Sequence, residues 1–151
     1  MLRARISDAL KLAMKAQDKH TVSTIRLILA ALKDRDIATR SEGSSAGISD
    51  DEILSMLQSM IKQRHESAAM YQKGGRLELA QQEKSEIATI QTFLPEQMDD
   101  ATVSAVVQET IINLSANSLK DMGKVMGALK KKYAGQMDFS KASAQVKAKL
   151  S

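Results

Sequence analysis

Residues 121–138 read "DMGKVMGALKKKYAGQMD". Met122, Met126, Leu129 and Tyr133 recur at spacings of three and four, the apolar period of an amphipathic helix. On a wheel stepped at roughly 100° per residue from Leu119, these four and Leu119 fall within about 280° to 360°. The stripe makes the methionines core residues rather than a cofactor box. Gly123 and Gly127 sit one turn apart in the same helix, although each glycine costs a helix interior about 1 kcal/mol relative to alanine. They come at roughly 40° and 80°, with Lys120, Lys131 and Lys124 at roughly 100°, 120° and 140°. The glycines are therefore expected between the buried stripe and a lysine strip. Two explanations stay open: bare backbone flanked by lysines lets a phosphate chain approach closely, or small residues four apart let a second helix, such as the last one folding back, pack closely. The two are compatible, since one glycine can serve each. Lys130, Lys131 and Lys132 also read as a solvated helix end whose cations offset the macrodipole.

Working outward, Ser118 with Asp121 forms a capping-box signature at the start of this helix, and Asp138 suits the N-cap of a short final helix with Val146 and Leu150 on one face. Upstream, "DDATVSAVVQETIINL" (99–114) opens with two aspartates fit for a helix start, yet Val103, Val106, Val107, Ile111 and Ile112 are β-branched. A helix is expected here, with a strand as the alternative. In "TFLPEQMDD" (92–100), Pro95 forbids simple helix continuation and biases Leu94 away from the α region. The domain boundary is placed there, giving domains 1–94 and 95–151.

The amino-terminal domain reads as four helices. Leu2, Ile6, Ala9, Leu10 and Ala13 make a first helix to about Asp18; Val22, Ile25, Leu29 and Leu32 make a second, after Thr21, to about Arg40. "SEGSSAG" (41–47) has the composition of a flexible loop. Ser49 with Glu52 then caps a third helix, whose stripe is Leu54, Leu57, Ile61, Ala68 and Tyr71. Gly74-Gly75 ends it, and a fourth follows through Leu77, Ala80, Ile87 and Ile90. The fold class is all-α, with four helices and then three.

Composition agrees with a helical chain. The 151 residues hold one proline, seven glycines, nine methionines and four aromatics, a set dominated by helix formers. Cysteine is absent, which excludes disulfides, thiolate metal sites and a cysteine nucleophile. No apolar leader follows Arg3 and Arg5, and no run of about 18 apolar residues occurs, so a cytoplasmic chain without membrane partners is expected. Charge is unevenly spread: residues 1–91 hold 14 Lys/Arg against 12 Asp/Glu, residues 92–118 hold none against four, and residues 119–151 hold eight lysines against two aspartates. A basic carboxyl end suggests an anionic partner there.

Catalytic motifs are scarce. There is no phosphate loop, no G-x-G-x-x-G, no nucleophile elbow and no H-E-x-x-H, and His20 and His65 have no second ligand-type residue at metal spacing. Both histidines are read as solvated. Glu83 and Glu86, one turn apart beside Lys84, are read as a solvated face rather than an acid/base pair. No metal or cofactor is expected. With so few aromatics, base stacking on single strands is a poor fit, and recognition of a folded RNA by shape and phosphates is a better one.

"DMGKVMGALKKKYAGQMD" followed by "SAQVKAKL" (143–150) resembles the carboxyl-terminal module of the GatB/YqeY family. The likeness extends over essentially the whole chain: "MLRARISDALKLAMKAQDKHTVSTIRLILAALKDRDI" (1–37) and "IKQRHESAAMYQKGGRLELAQQEKSEI" (61–87) resemble a stand-alone YqeY protein, and "FLPEQM" (93–98) resembles its hinge, with Phe93 where tyrosine is common. Ser140 stands where glycine is common near the last helix. The resemblance implies a four-helix domain followed by a three-helix one. It also implies kinship with the tail of the GatB component of the tRNA-dependent amidotransferase, a tRNA-holding appendage, and with modules on a glutaminyl-tRNA synthetase. Carried over by position, the tail's motif falls on Gly123, Lys124, Gly127 and Lys130, to which the wheel adds Lys120, Lys131 and Lys132. Nothing corresponds to the ATP-binding body of that component or to its partner amidase. Carbon–nitrogen ligase activity with glutamine as amido-N-donor would thus be inherited from the larger enzyme, and the chain is not expected to be an enzyme by itself.

Three readings follow. The leading one is a non-catalytic protein that binds structured RNA, with tRNA favoured, and assists tRNA amidation or aminoacylation in trans beside a synthetase or amidotransferase. The second is a helical protein-interaction adaptor whose lysines only solubilise it, and the third is an enzyme of carbon–nitrogen chemistry. The sequence leaves the oligomeric state open.

Overall fold

The computed structural model describes residues 1–43 and 45–151. Its α-helices are α1 (Leu2–Lys15), α2 (Lys19–Ser41), α3 (Asp50–Lys73), α4 (Leu77–Gln91), α5 (Asp100–Asn113), α6 (Met122–Lys132) and α7 (Phe139–Leu150), with a 3-10 turn at Leu119–Asp121. The all-α expectation holds: no strand occurs among the described residues. Of the loop expected at 41–47, Ser44 lies outside the described residues. Two compact units form, Met1–Leu94 and Pro95–Ser151.

In the first unit α1 packs on α2, and α3 lies along α4, with α2 also against α4. Ile6, Ile25, Ile28, Ile53, Leu57 and Ile90 are fully buried between them, and Phe93 joins the same core. Two helix boundaries differ from the sequence reading. α1 stops at Lys15, and Gln17 takes a left-handed φ of 56°. The Asp18 carboxylate then accepts from the Thr21 amide at 3.1 Å and the Thr21 hydroxyl at 2.7 Å, so α2 begins at Lys19 instead of after Thr21. A side-chain cap outcompetes continuation because it satisfies an orphan amide of the new helix.

The buried face of α3 is also rotated from the expected stripe. Ile53, Met56 and Met60 join Leu57 and Ala68 in the core, while Leu54, Ile61 and Tyr71 are half-buried. Ser49 caps this helix as expected, accepting from the Glu52 amide at 3.2 Å. The solvated-face reading of Glu83 and Glu86 fails at Glu86. Its carboxylate is buried against α3, where Arg64 Nε donates to it at 3.2 Å and Arg64 Nη1 donates to the Met60 carbonyl at 3.1 Å. Partial burial, with the Glu86 charge beside it, raises the Glu83 pKa, against the opposing effect of Arg64.

A second polar tie joins α1, α2 and the segment before α3. Arg3 donates to both Asp36 oxygens at 2.6 and 2.7 Å and to the Ile48 carbonyl at 2.8 Å, while the Ile48 amide donates to Asp36 Oδ1 at 2.9 Å. Gly47 permits this arrangement. Its φ is +81°, and a Cβ there would lie 2.5 Å from Asp36 Oδ1 and 2.7 Å from Arg3 Nη2. The Arg3 guanidinium holds the Asp36 carboxyl down to about 2.

The second unit wraps α5, α6 and α7 around Val107, Val125, Leu129, Met137, Ala142 and Val146. The strand alternative for residues 99–114 is excluded. Asp99 accepts from the Thr102 amide at 2.7 Å, and Val103, Val107 and Ile111 recur four apart on the buried side of a helix. Core burial there outweighs the modest helix penalty of β-branched side chains. The segment leading into α5 is tied to the turn after α6, since Gln97 Nε2 donates to the Gly135 carbonyl at 2.6 Å and the Met98 amide to the Gln136 carbonyl at 2.9 Å.

Candidate nucleic-acid interface

α6 is centred on Val125 and Leu129, both fully buried, with Met122, Met126 and Tyr133 half-buried around them. The core face is thus turned from the stripe read in the sequence. Leu119 lies outside the helix in the 3-10 turn and keeps 49% of its surface exposed. The expected Ser118 capping box does not form either: Ser118 makes no side-chain cap bond, and Asp121 instead accepts from the Asn117 amide at 3.1 Å. That aspartate folds back on the loop, and α6 starts after it.

With Val125 at roughly 240° on the wheel, the buried arc is centred near 290° and the outward direction near 110°. Lys124, Lys131 and Gly127 face outward, with Gly123 beside them. The glycines are thus on the exposed face rather than at the edge of the core. A Cβ added at Gly123 or Gly127 would meet nothing within 4 Å. Close packing of α7 against them, one of the two explanations left open by the sequence, is therefore excluded. α7 packs on the opposite side of α6, through Ala142, Val146 and Leu150.

The lysines divide by position. Lys120 precedes the outward face from the 3-10 turn, and Lys130 and Lys132 fall on its two flanks at roughly 20° and 220°. Lys132 Nζ lies over the Tyr133 ring, 5.5 Å from its centroid. All five side chains are exposed, and none forms an ion pair among the described residues. Lys130, Lys131 and Lys132 occupy the last turn, where cations oppose the helix macrodipole. One carboxylate, Asp121, lies at the start of α6 and is turned to the Asn117 amide; Asp99 and Asp100 open α5, where hydrogen bonds from the Thr102 hydroxyl and amide lower the Asp99 pKa. Chemically, the face offers exposed cations around a strip of bare backbone. His20 and His65 are exposed, and no metal-type cluster of His, Asp and Glu occurs among the described residues.

The model of the family described as Yqey-like protein matches residues 3–150. The chain belongs to the Yqey-like family. Among relatives of this Yqey-like chain, an uncharacterized protein of Schizosaccharomyces pombe is 33% identical over 95 residues, covering 63% of the chain and 73% of that protein. A protein of Eremothecium gossypii named altered inheritance of mitochondria protein 41, mitochondrial, is 32% identical over 91 residues, covering 60% of the chain and 48% of that protein. The match thus spans about half the length of the second relative. No helix among the described residues is long and apolar enough to cross a membrane.

Proposed function

We propose that this Yqey-like protein binds structured RNA, with tRNA as the favoured ligand, through the outward face of α6, and that it acts without catalysing a reaction of its own. The observation that carries the reading is the open glycine strip. Nothing lies within 4 Å of a Cβ added at Gly123 or Gly127, so no packing within the chain explains the helix penalty the two residues impose. A phosphate backbone laid on that strip approaches the helix more closely than side chains would allow, while Lys120, Lys124 and Lys131 neutralise it. Kinship with the amidotransferase tail supports tRNA over other folded RNAs, and the role in this reading is to present tRNA to a synthetase or amidotransferase. We place that role in the cytoplasm; the mitochondrial name belongs to the Eremothecium relative.

Charge reversal tests the reading locally. A variant with Lys120→Glu, Lys124→Glu and Lys131→Glu is compared with the charge-matched Lys141→Glu/Lys147→Glu/Lys149→Glu on α7, both against an unfractionated tRNA pool. The α6 variant is expected to lose binding at unchanged helicity, while the α7 variant retains most of it. Equal losses in the two would reduce the effect to net charge and remove α6 as the site.

A further inference from the structure

The first unit carries a second outward face that the RNA reading does not use. α2 spans 23 residues, and its core side, Thr24, Ile25, Ile28 and Leu32, leaves the opposite side uncovered. On that side Leu27 and Ile37 remain 44% and 50% exposed, in line with the exposed Ala30. The spacing Leu27, Ala30, Asp34, Ile37 is a three-four alternation, the seam of a two-helix contact. Lys19, Arg26 and Lys33 follow one another at intervals of seven, so they stack along one edge of this seam over about 21 Å. None of the three forms an ion pair among the described residues. At the amino-terminal end of the helix, the face opens into a groove of about 600 Å³ lined by Met14, Gln17, Lys19, Val22, Arg26 and Leu27. Met14, flexible enough to fit varied apolar partners, is 51% exposed.

We infer that the outward face of α2 docks an acidic amphipathic helix of a partner protein, whose apolar seam lies on Leu27, Ala30 and Ile37 and whose carboxylates pair with Lys19, Arg26 and Lys33. Charge complementarity and heptad spacing select this occupant. A seven-residue repeat of cations beside an apolar line matches the edge positions at which paired helices exchange ion pairs. A second copy laid antiparallel on the same face brings like edges together and sets cations against cations. An RNA phosphate chain would leave the apolar seam unpaired. Asp34, the carboxylate within the seam, fixes register by calling for a donor opposite it.

The test uses the full chain, labelled with nitrogen-15, and two synthetic 21-residue helical peptides. Both carry the same leucine seam with one asparagine placed to meet Asp34; one has glutamates and the other lysines at the flanking positions. The glutamate peptide is expected to shift the amides of Leu27, Ala30 and Ile37 and to bind at least tenfold more tightly than the lysine peptide. In the Arg26→Glu/Lys33→Glu variant that preference reverses, and in Arg26→Gln/Lys33→Gln it shrinks without reversing. Equal binding of the two peptides, or no shifts on α2, overturns the proposal. So does concentration-dependent dimerisation that broadens the same amides, which would assign the face to a second copy, and so does displacement of the glutamate peptide by tRNA from these residues.

Discussion

Replacing Gly47 by alanine tests how the first unit is tied together, because two costs arise at that position and one can be measured separately. A non-glycine residue in the left-handed region costs about 1–2 kcal/mol. The added Cβ also meets Asp36 Oδ1 at 2.5 Å and Arg3 Nη2 at 2.7 Å, so the carboxylate must move and its bonds to Arg3 and the Ile48 amide weaken. Those partly exposed hydrogen bonds contribute about 1–2 kcal/mol together. Gly75→Ala is the control. Its φ of +74° is close to the +81° of Gly47, yet nothing lies within 4 Å of its added Cβ, so it incurs only the backbone strain. Gly47→Ala is therefore expected to destabilise the unit by about 1–2 kcal/mol more than Gly75→Ala, a Tm difference of roughly 5–10 °C for a unit of this size. Thermal unfolding followed by circular dichroism, with amide hydrogen exchange of α1 and α2, measures it. Adding Asp36→Ala should bring the cost of Gly47→Ala down to that of Gly75→Ala. Equal costs for the two glycine variants in the native background would refute the steric role assigned to the Arg3–Asp36 tie.

The same carboxylate gives a pH signature. Because Asp36 is held down to about 2 in the folded chain, against an ordinary value of 3.8, its contribution is complete above about pH 4 and is lost as pH falls toward 2. The urea midpoint should fall more steeply across that window in the native chain than in Asp36→Asn. At the α3–α4 pair, Glu86→Ala leaves the largely buried Arg64 guanidinium without its partner and should cost about 3 kcal/mol in urea unfolding. Arg64→Met/Glu86→Leu together should cost about 1 kcal/mol or less. Gly127→Ala in the interior of α6 should stabilise the second unit by about 0.5–1 kcal/mol, measured as a raised Tm. Gly127→Leu should weaken tRNA binding several-fold with every charge in place.

Much of the fold was legible because local chemistry and tertiary burial agree. Ser49 and Asp138 cap the helices they precede, Gly75 supplies the turn after α3, and Val146 and Leu150 line the core. Errors arose where a rival bond competed with the pattern. Asp18 ended α1 early by capping α2, and Asp121 turned back to Asn117 instead of completing a box with Ser118. Periodicity alone also placed the α3 and α6 stripes a fraction of a turn from their true centres, because flanking half-buried residues resemble core ones in sequence. Val125 was missed for that reason, and with it the fact that Gly123 and Gly127 face open space. The Arg64–Glu86 and Arg3–Asp36 pairs were hidden because their partners lie 22 and 33 residues apart. The seven-residue spacing of Lys19, Arg26 and Lys33 was visible throughout, but its exposure beside Leu27 and Ile37 required the packing of α2.

The measurement that bears most directly on the central claim is the salt dependence of tRNA binding by the native chain. If three to five lysines of the α6 face neutralise phosphates, log K should fall against log salt with a slope of roughly −2 to −4. The Lys120→Glu/Lys124→Glu/Lys131→Glu variant should retain little binding at the lowest salt. A flat response, or no binding by the folded native chain at low salt, would contradict the claim that α6 is an RNA-binding face.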